Sequence, residues 1–373
     1  MKHILFIVTE DWYFISHRLH MAVNAIEKGY KVTLLTKVSD HKDLIESSGV
    51  RVVNWNINRS GLNIISEIKS IYSILALIKT INPDTVHAVA FKPIIYSSLI
   101  SGMTNTKFRV LALGGLGFIF SSNAFLARLI RPLLIVVLRF LFKSPKIRLI
   151  LQNQDDKNLL LEYKIIKSEK VVLIRGAGVN TNEYHPSALV NEPPVVILPA
   201  RMLWDKGVSE FVDCAKKFKE NGSKARFCLV GSPDSHNPQS IPFKQLQDWV
   251  EKGIVEWWGQ QDNMPNVYAQ ATIVCLPSYR EGLPKSLLEA ASCGLPIVAF
   301  DVPGCREIVK DEFNGFLIPF KDIDAMYSSV LKLIEDTKLS NIMGKNGRQL
   351  VLREFSQDII GAQTLAVWDE INL

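Results

Sequence analysis

The sequence lacks the cysteine spacing on which disulfide frameworks and metal sites depend. Its five cysteines lie at positions 214, 228, 275, 293 and 305, all in the second half of the 373-residue chain, and none forms a C-x-x-C pair. An odd number of cysteines without metal-ligand spacing is typical of reduced thiols in a cytosolic protein. We therefore expect all five to be buried as small apolar side chains.

Long hydrophobic runs are missing too. No stretch of about 18 uncharged apolar residues occurs, so no membrane-spanning helix is predicted. The apolar run Ile4–Val8 is too short for the core of a signal peptide and is soon followed by Glu10 and Asp11. It predicts a buried first strand, and we expect the protein to be cytoplasmic.

Acidic residues are absent between Thr85 and Gln154, where nine Lys and Arg residues occur. Residues 1–185 carry a net charge of +11 and residues 186–373 one of −5. A basic region of this kind is expected to face an anionic partner. Nucleic acid is disfavoured as that partner, because aromatic residues are not interleaved with the basic ones in a recognisable binding module.

Strand-like and helix-like segments alternate through both halves of the chain. The alternation predicts an α/β fold with two doubly wound, Rossmann-like domains that face a cleft. The first strand is predicted to lead into a helix that is capped by Ser16 and ends near Gly29. The predicted boundaries are 1–183 for an N-terminal domain, 184–194 for a linker, 195–355 for a C-terminal domain, and 356–373 for a helix packing back toward the N-terminal domain.

The most informative segment begins after the strand candidate Ile273–Leu276. The chain passes through Gly282 and reaches Pro284, which suits the first position of a helix. The start of a helix offers unpaired N–H groups and a partial positive charge, so this point is suited to bind a diphosphate. Glu281 and Glu289 can accept hydrogen bonds from a sugar hydroxyl and a ribose diol, although the spacing alone is equally compatible with solvated surface carboxylates.

A second loop follows the strand candidate Val195–Pro199 and precedes a helix, so it is predicted at the same edge of the sheet. It contains Arg201, which can donate two parallel hydrogen bonds, and Lys206, which supplies a point charge. Together they can hold two phosphates without a metal. A solvated loop is the equally weighted alternative.

The spacing of Glu281 and Glu289 is an E-x7-E pattern, and it resembles the signature of the retaining GT-B enzymes called glycosyltransferase family 4. The resemblance is strong over residues 195–355 and weaker over 1–180. Its supporting positions are Trp258-Gly259, Leu276-Pro277-Ser278, Glu289-Ala290, Gly294-Leu295-Pro296, Pro303-Gly304, Glu307-Ile308 and Asn314-Gly315.

The resemblance implies a role for each matching position. It implies that the C-terminal domain binds the nucleotide sugar and that His87, following a strand, faces the cleft near the reacting sugar carbon. The other implied site residues are Arg201 and Lys206 for the diphosphate, Glu289 for the ribose, Glu281 for the donor sugar, the backbone of Gly282, Leu283, Pro284 and Lys285 for the sugar and phosphates, and Gly259 with Gln260 for the base.

One segment departs from the family. Many relatives have a glycine pair in the loop after the first strand, whereas here Thr9–Phe14 contains no glycine, which puts a backbone contact to the donor phosphate there in doubt. Glycines do cluster at 114, 115 and 117 after another strand candidate. That cluster could admit substrate close to the backbone, or it could be a plain turn.

The family resemblance also implies transfer with retention of anomeric configuration and without a metal or other cofactor. Charge on the departing diphosphate would be stabilised by fixed cations and helix-end N–H groups. Asp322-Ile323-Asp324 has the letters of a D-x-D metal motif, but it opens a helix candidate and is interpreted as an N-terminal cap. We expect UDP as the donor nucleotide, since it is the commonest in such families.

The apolar stretch Phe125–Lys143 contains interspersed arginines and is followed by Lys146 and Arg148. It predicts either a helix lying on an anionic bilayer or a core helix whose arginines reach water. The first interpretation leads to a hypothesis: the protein is peripheral on the cytoplasmic face of the inner membrane and its acceptor is a sugar linked to a polyprenyl diphosphate, as in surface-polysaccharide biosynthesis.

Three alternatives remain open at this stage. The first two are other GT-B enzymes: a sugar-nucleotide epimerase, which would need no acceptor, and a phosphorylase, which would need a lysine bound to pyridoxal phosphate. The third is a membrane-associated scaffold without catalytic activity. Against the scaffold stands the joint presence of Arg201, Lys206, Glu281 and Glu289.

Overall fold

The computed structural model describes residues 1–57, 63–116, 120, 125–187, 192–235 and 237–371. The chain forms two compact units, one made of Met1–Ala177 with Gln357–Leu373 and the other of Gly178–Ser356. The first unit thus ends before the predicted boundary at residue 183, and the C-terminal helix belongs to it. Residues 188–191 of the predicted linker lie outside the described residues.

The first unit is built on one parallel sheet of seven strands within the described residues, in the order β3-β2-β1-β4-β5-β6-β7. Five of these strands contain a run of at least three buried residues, because helices cover both faces of the sheet. The strands are β1 His3–Glu10, β2 Lys31–Lys37, β3 Arg51–Asn54, β4 Thr85–Val89, β5 Phe108–Ala112, β6 Ile147–Leu151 and β7 Val171–Leu173.

The helices of this unit connect successive strands. Those before residue 178 are α1 Asp11–His17, α2 Leu19–Glu27, α3 Lys42–Ser47, α4 Ile64–Ile81, α5 Phe91–Leu99, α6 Phe125–Leu141 and α7 Gln154–Glu162. Helices α4 and α6 contribute buried residues to one core, whereas α2 contributes to the core on the other face of the sheet.

The predicted cap at Ser16 is wrong. Helix α1 begins directly at the end of β1, where the fully buried Asp11 accepts hydrogen bonds from the backbone N–H of Trp12 at 2.7 Å and of Ser39 at 2.6 Å. Ser16 therefore lies inside α1, and the helical path is interrupted instead at Arg18, whose backbone leaves the helical region before α2. The glycine-free segment Thr9–Phe14 is consequently strand and helix, not a loop.

The second unit contains a parallel sheet of six strands within the described residues, in the order β10-β9-β8-β11-β12-β13. Its strands are β8 Val195–Pro199, β9 Arg226–Val230, β10 Glu256–Gly259, β11 Ile273–Leu276, β12 Ile297–Phe300 and β13 Gly315–Ile318. Its helices are α8 Val208–Glu220, α9 Phe243–Glu251, α10 Met264–Ala269, α11 Lys285–Ser292, α12 Pro303–Ile308, α13 Ile323–Glu335 and α14 Thr337–Glu354.

The strand order reverses between β8 and β11, which are direct neighbours. In an open α/β sheet, such a switch point separates the loops that follow the two strands and creates a crevice for ligands. Both loops identified from the sequence leave the sheet here. The predicted fold class of two doubly wound α/β domains is thereby confirmed.

Two further expectations concern cysteines and membrane spans. All five cysteines are buried thiols, as predicted. None of the helices in the described ranges combines the length and the apolar composition that crossing a bilayer requires.

The last helix, α15 Gln357–Ile371, completes the core of the first unit. Its Trp368 is fully buried, and the indole meets the rings of Phe6 and His87 edge to face, with ring centroids 5.6 Å apart in both cases. Removing this indole would leave a large cavity between α15 and the sheet.

Trp368→Ala is expected to lower the free energy of unfolding of the first unit by about 3–5 kcal/mol, because a buried aromatic ring is replaced by a void. Trp12→Ala is the matched control. That ring is 45% exposed, so its loss should cost about 0.5 kcal/mol or less. Urea denaturation followed by circular dichroism measures both; similar midpoints for the two variants would contradict this packing role of α15.

Candidate functional site

Two loops at the switch point of the second unit are tied together through one carbonyl group. The carbonyl of Asp205 accepts a hydrogen bond from the backbone N–H of Tyr279 at 2.9 Å. The Ser278 hydroxyl lies 3.3 Å from the same carbonyl and 3.2 Å from that of Arg280, and its single proton is shared between the two. Next to this tie, Gly207 has φ +72°, and a Cβ atom there would lie 1.8 Å from the carbonyl oxygen of Pro277. Only glycine permits this approach, so the loop after β8 is held against the loop after β11.

The tie brings together two residues that the sequence analysis assigned to the donor site. Lys206 Nζ lies 2.5 Å from Glu281 Oε1, and the two side chains are only 20% and 12% exposed. Such partial burial makes the pair stronger than a typical surface ion pair. An anionic ligand at this point would compete with Glu281 for the ammonium group, while a sugar hydroxyl could donate to the carboxylate.

Arg201 leaves β8 on the same loop, and its guanidinium donates to Asp234 Oδ2 at 2.7 Å. Asp234 follows β9, the neighbour of β8 on the other side, and was not among the predicted site residues. Half of the Arg201 side chain is exposed, so its remaining N–H groups face solvent at the carboxyl edge of the sheet. The predicted cations therefore occupy one loop at one sheet edge.

Helix α11 starts where the loop after β11 ends. Pro284 is its N-cap rather than its first helical residue, so the first turn begins with Lys285. The preceding loop is tightly packed, since a Cβ atom on Gly304 of α12 would lie 2.7 Å from the carbonyl oxygens of Glu281 and Gly282. This packing fixes the path of the chain into a helix start whose N–H groups suit a phosphate.

Glu289 is buried in the second turn of α11, and only 6% of it is exposed. Tyr268 donates from its hydroxyl to Glu289 Oε2 at 3.0 Å, and Lys285 Nζ lies 3.2 Å from Oε1. Burial and the neighbouring carboxylate hold the pKa of Tyr268 well above its ordinary value, so the phenol stays a donor. Glu289 is thus oriented by two partners rather than solvated, and Tyr268 is a site residue that the sequence analysis missed.

The predicted base-binding residues lie at the end of β10. Gly259 has φ +66°, and its carbonyl accepts a hydrogen bond from the N–H of Gly231 at 2.8 Å. Gly231 is itself confined to glycine, because a Cβ atom would lie 2.0 Å from the Ala200 carbonyl oxygen. Gln260 is exposed directly after the strand. These residues share the carboxyl edge of the sheet with Lys206 but make no direct contact with it in the described hydrogen bonds.

The structure overturns the predicted position of His87. This residue lies inside β4, not after the strand, and it is 1% exposed. Its ring stacks on Phe6 with a centroid distance of 4.8 Å, and Trp368 donates from Nε1 to His87 Nδ1 at 3.2 Å. Burial, with help from the nearby Arg18, keeps the pKa of His87 well below its ordinary value. His87 is a neutral core histidine.

Gly114 and Gly115 follow β5 at the carboxyl edge of the first sheet. A Cβ atom on Gly114 would make ordinary van der Waals contacts of 3.8 Å with the Tyr13 hydroxyl and with Gln152 Nε2. Gly115 has φ +148°. Gly117 lies outside the described residues. The predicted close approach of substrate at this cluster stays a prediction.

The D-x-D letters at 322–324 form a helix cap. Asp322 accepts a hydrogen bond from the N–H of Ala325 at 2.8 Å at the start of α13, while Asp324 pairs with Lys217 on α8. Nowhere in the described ranges do three or more His, Cys, Asp or Glu side chains gather in a way that could hold a metal ion.

Family models match both units. The model "Glycosyl transferases group 1" matches residues 180–350, and the model "Glycosyl transferase 4-like" matches residues 3–154. The chain belongs to glycosyltransferase family 4. It is therefore a glycosyltransferase, an enzyme of class EC 2.4, as the E-x7-E pattern led us to expect.

A curated relative of this glycosyltransferase is the N,N'-diacetylbacillosaminyl-diphospho-undecaprenol alpha-1,3-N-acetylgalactosaminyltransferase of Campylobacter jejuni, which is 26% identical over 354 residues and 91% of each chain. Sucrose-phosphate synthase from Thermosynechococcus elongatus has a similar structure, with a TM-score of 0.83, 18% identity and coverage of 100% and 99%. HepE from Anabaena, solved in complex with UDP, has a TM-score of 0.78, 17% identity and coverage of 99% and 100%. These structural likenesses establish the GT-B fold.

His87→Gln is expected to keep most transferase activity and to reduce the acid sensitivity of folding. The unfolded chain binds a proton at this histidine below about pH 6.5, whereas the folded state resists it, so stability falls as the pH drops, by up to about 1.4 kcal/mol per unit. We expect the loss of unfolding free energy between about pH 7.5 and about pH 5 to be smaller in the variant than in the wild type. An unchanged pH dependence, or a collapse of turnover in a folded variant, would contradict the core assignment.

Proposed function

We propose that this glycosyltransferase moves a sugar from a UDP-sugar to a sugar carried on a polyprenyl diphosphate, and that it does so without a metal. The observation that carries the proposal is the convergence of Lys206, Glu281 and the start of α11 at the switch point of the second sheet. One cation, one carboxylate and a helix N-terminus are the groups that a sugar diphosphate requires.

The donor half of the proposal rests on charge and geometry. Lys206, Arg201 and Lys285 are cations at one sheet edge, and each lies within 3.2 Å of a carboxylate oxygen that a diphosphate could displace. Glu289, held by Tyr268, offers its carboxylate to the ribose hydroxyls. Support for uracil as the base comes from HepE, whose structure contains UDP.

In the proposed reaction, the bond between the anomeric carbon and the diphosphate oxygen breaks as the acceptor hydroxyl bonds to the same carbon from the same face. The acceptor proton passes to the departing phosphate oxygen. Because the new bond forms on the face from which the old bond breaks, the configuration is retained. Lys206, Arg201 and the N–H groups at the start of α11 stabilise the charge that develops on the leaving group. Glu281 orients the donor sugar through its hydroxyls, and no metal ion is needed for these steps.

The acceptor half is supported by the Campylobacter jejuni relative, whose name specifies a diphospho-undecaprenol acceptor and which matches 91% of this chain. A polyprenyl carrier is confined to a bilayer, so the enzyme must reach the membrane surface. We place it at the cytoplasmic face of the inner membrane, where nucleotide sugars are available, in the synthesis of a surface glycan.

Helix α6 has the properties of a membrane-contacting helix. Leu129, Leu133, Val136 and Phe140 form one stripe at helical spacing, and each is at least 60% exposed, while the opposite side of α6 packs into the core. Arg128 and Arg139 are exposed beside the stripe, and they could contact anionic headgroups.

Helix α4, on the same face of the sheet, also exposes apolar side chains. It packs into the same core as α6, and it exposes Ile65, Ile68 and Tyr72 at intervals of three and four residues. Two helices on one face of the sheet thus expose apolar side chains. The alternative of one core helix whose arginines reach water does not account for these exposed apolar residues. This face is the proposed membrane contact.

Lys206→Gln is expected to weaken UDP binding by about 2 kcal/mol, or roughly 30-fold, because a charge-assisted contact to phosphate is lost. Glu289→Gln should also lower the affinity for UDP, and it should lower the turnover rate. Lys216→Gln is the matched control, since Lys216 pairs with Asp213 on α8. Calorimetry in the presence of EDTA measures the UDP affinity of the three variants and of the wild type, and GDP serves as the comparison nucleotide.

A wild-type protein that fails to bind UDP in EDTA would exclude the proposed donor chemistry, and if no other nucleotide binds it would favour the scaffold interpretation. Conversion of the free UDP-sugar into an isomeric UDP-sugar without any acceptor would favour the epimerase. Transfer to a short polyprenyl diphosphate sugar, with unchanged UDP affinity in Lys216→Gln, is the expected result.

For the membrane contact, the double substitution Leu133→Ser with Phe140→Ser should reduce sedimentation with anionic vesicles by about tenfold, because two exposed apolar anchors are removed. Leu352→Ser with Phe313→Ser is the control pair, as both of those residues are exposed in the second unit. Equal sedimentation of both double variants and the wild type would contradict a membrane role for α6.

A further inference from the structure

A cavity lies in the first unit. It has a volume of about 560 Å³ and is bounded by the end of α6 and by residues 161–170, which connect α7 to β7. These segments precede β6 and β7, so the cavity lies at the amino ends of the strands, whereas the loops that follow strands lie at the opposite edge. The proposed transfer chemistry does not use this cavity.

The cavity wall combines positive charge with an apolar floor. Five cationic side chains line it, and the lining includes no Asp or Glu among the described residues. The cations are Arg139, Lys143, Lys164, Lys167 and Lys170; the apolar part is formed by Phe142, Leu161, Ile165 and Ile166. A wall of this composition matches a ligand with an anionic head and a hydrocarbon tail.

Two of the cations are fixed in place by backbone carbonyls. Lys170 Nζ donates to the carbonyls of Phe142, Lys143 and Ser144 at 2.9–3.1 Å, and Arg139 donates from Nε and Nη2 to the carbonyl of Tyr163. These contacts position charge without neutralising it. Burial of Lys170 and the positive charge of the nearby Lys167 both lower the pKa of Lys170.

The nearest carboxylate that pairs with the cluster is weakly engaged. Glu169 Oε1 lies 3.9 Å from Lys167 Nζ, and both side chains are more than 60% exposed, so the pair is screened by solvent. Lys143 and Lys164 are exposed at the rim. The cluster therefore keeps a net positive charge that an anionic group could neutralise.

The position of the cavity relative to α6 decides between a lipid and a small anion. Arg139 and Lys143 belong to the last turn of α6 and the residues after it, directly beside Phe140, which is 75% exposed in the apolar stripe. A lipid whose tail lies along that stripe would bring its phosphate to the cavity rim. Inorganic phosphate would make no use of the apolar floor.

We propose that this cavity binds the phosphate headgroup of an anionic membrane phospholipid, and so anchors the first unit when α6 lies on the bilayer. The inference rests on the proposed membrane contact of α6, but it is independent of the donor chemistry. It assigns the basic cluster to a lipid that is neither donor nor acceptor.

Binding of dihexanoyl phosphatidylglycerol to the full chain, below the concentration at which this lipid forms micelles, tests the proposal. Ser168 is an exposed residue of the cavity lining, so Ser168→Trp would partly fill the cavity with a ring without changing its charge. This variant should bind the lipid about tenfold more weakly. Lys143→Gln with Lys167→Gln should have a similar effect. The controls are Ser47→Trp and the pair Lys28→Gln with Lys42→Gln, all at exposed positions on other elements.

The expected result is binding of phosphatidylglycerol that exceeds binding of dihexanoyl phosphatidylcholine and inorganic phosphate and is lost only in the cavity variants. Equal binding by cavity and control variants would overturn the proposal, and so would inorganic phosphate binding as tightly as the lipid. UDP affinity, measured in parallel on the wild type, separates the two proposals. A wild-type protein that binds UDP but not phosphatidylglycerol refutes the cavity assignment alone, whereas one that binds phosphatidylglycerol but not UDP refutes the donor chemistry alone.

Discussion

The carbonyl of Asp205 holds the donor site together. By accepting hydrogen bonds from both Tyr279 and Ser278, it joins the loop after β8 to the loop after β11 at the switch point of the second sheet. The joint is possible because Gly207 lets one backbone approach another where no side chain would fit. Without this tie, Lys206 and Glu281 would lie on separate mobile loops, and a site for a sugar diphosphate would have to be assembled by the ligand itself.

The charges around this tie follow one pattern. Each proposed phosphate-binding cation is paired with a carboxylate, Lys206 with Glu281, Arg201 with Asp234 and Lys285 with Glu289. Exchange of a carboxylate for a diphosphate oxygen costs less than the transfer of a bare cation from water, since each cation is already oriented and the Lys206 and Lys285 ammonium groups are already partly desolvated. The freed Glu281 and Glu289 are then available to sugar and ribose hydroxyls. The pairing thus preorganises the site and supplies its hydroxyl acceptors.

Much of this arrangement could be predicted from the sequence, because it depends on local chemistry. The alternation of strands and helices predicted two doubly wound sheets, and the E-x7-E pattern with the loop at 201–206 predicted which residues would lie at one sheet edge. The partners Asp234 and Tyr268 could not be predicted, since Asp234 lies in the loop after β9 and Tyr268 in helix α10, and their proximity depends on the order of the strands. Ser16 was misjudged because the buried Asp11, bonded to Ser39 far along the chain, starts the helix earlier. His87 was misjudged because a histidine in a short strand has no sequence signal for burial; the decisive neighbour, Trp368, lies 281 residues away.

UDP affinity of Gly207→Ala, compared with that of Gly222→Ala, tests the importance of the loop tie most directly. Both glycines have a positive φ near 70°, but an added Cβ meets the Pro277 carbonyl in the first case and nothing within 4 Å in the second. Neither substitution removes a group assigned to ligand binding. If the tie positions Lys206, Gly207→Ala will lose UDP affinity by about tenfold or more while Gly222→Ala binds UDP as the wild type does. A folded Gly207→Ala variant with wild-type affinity would contradict the account.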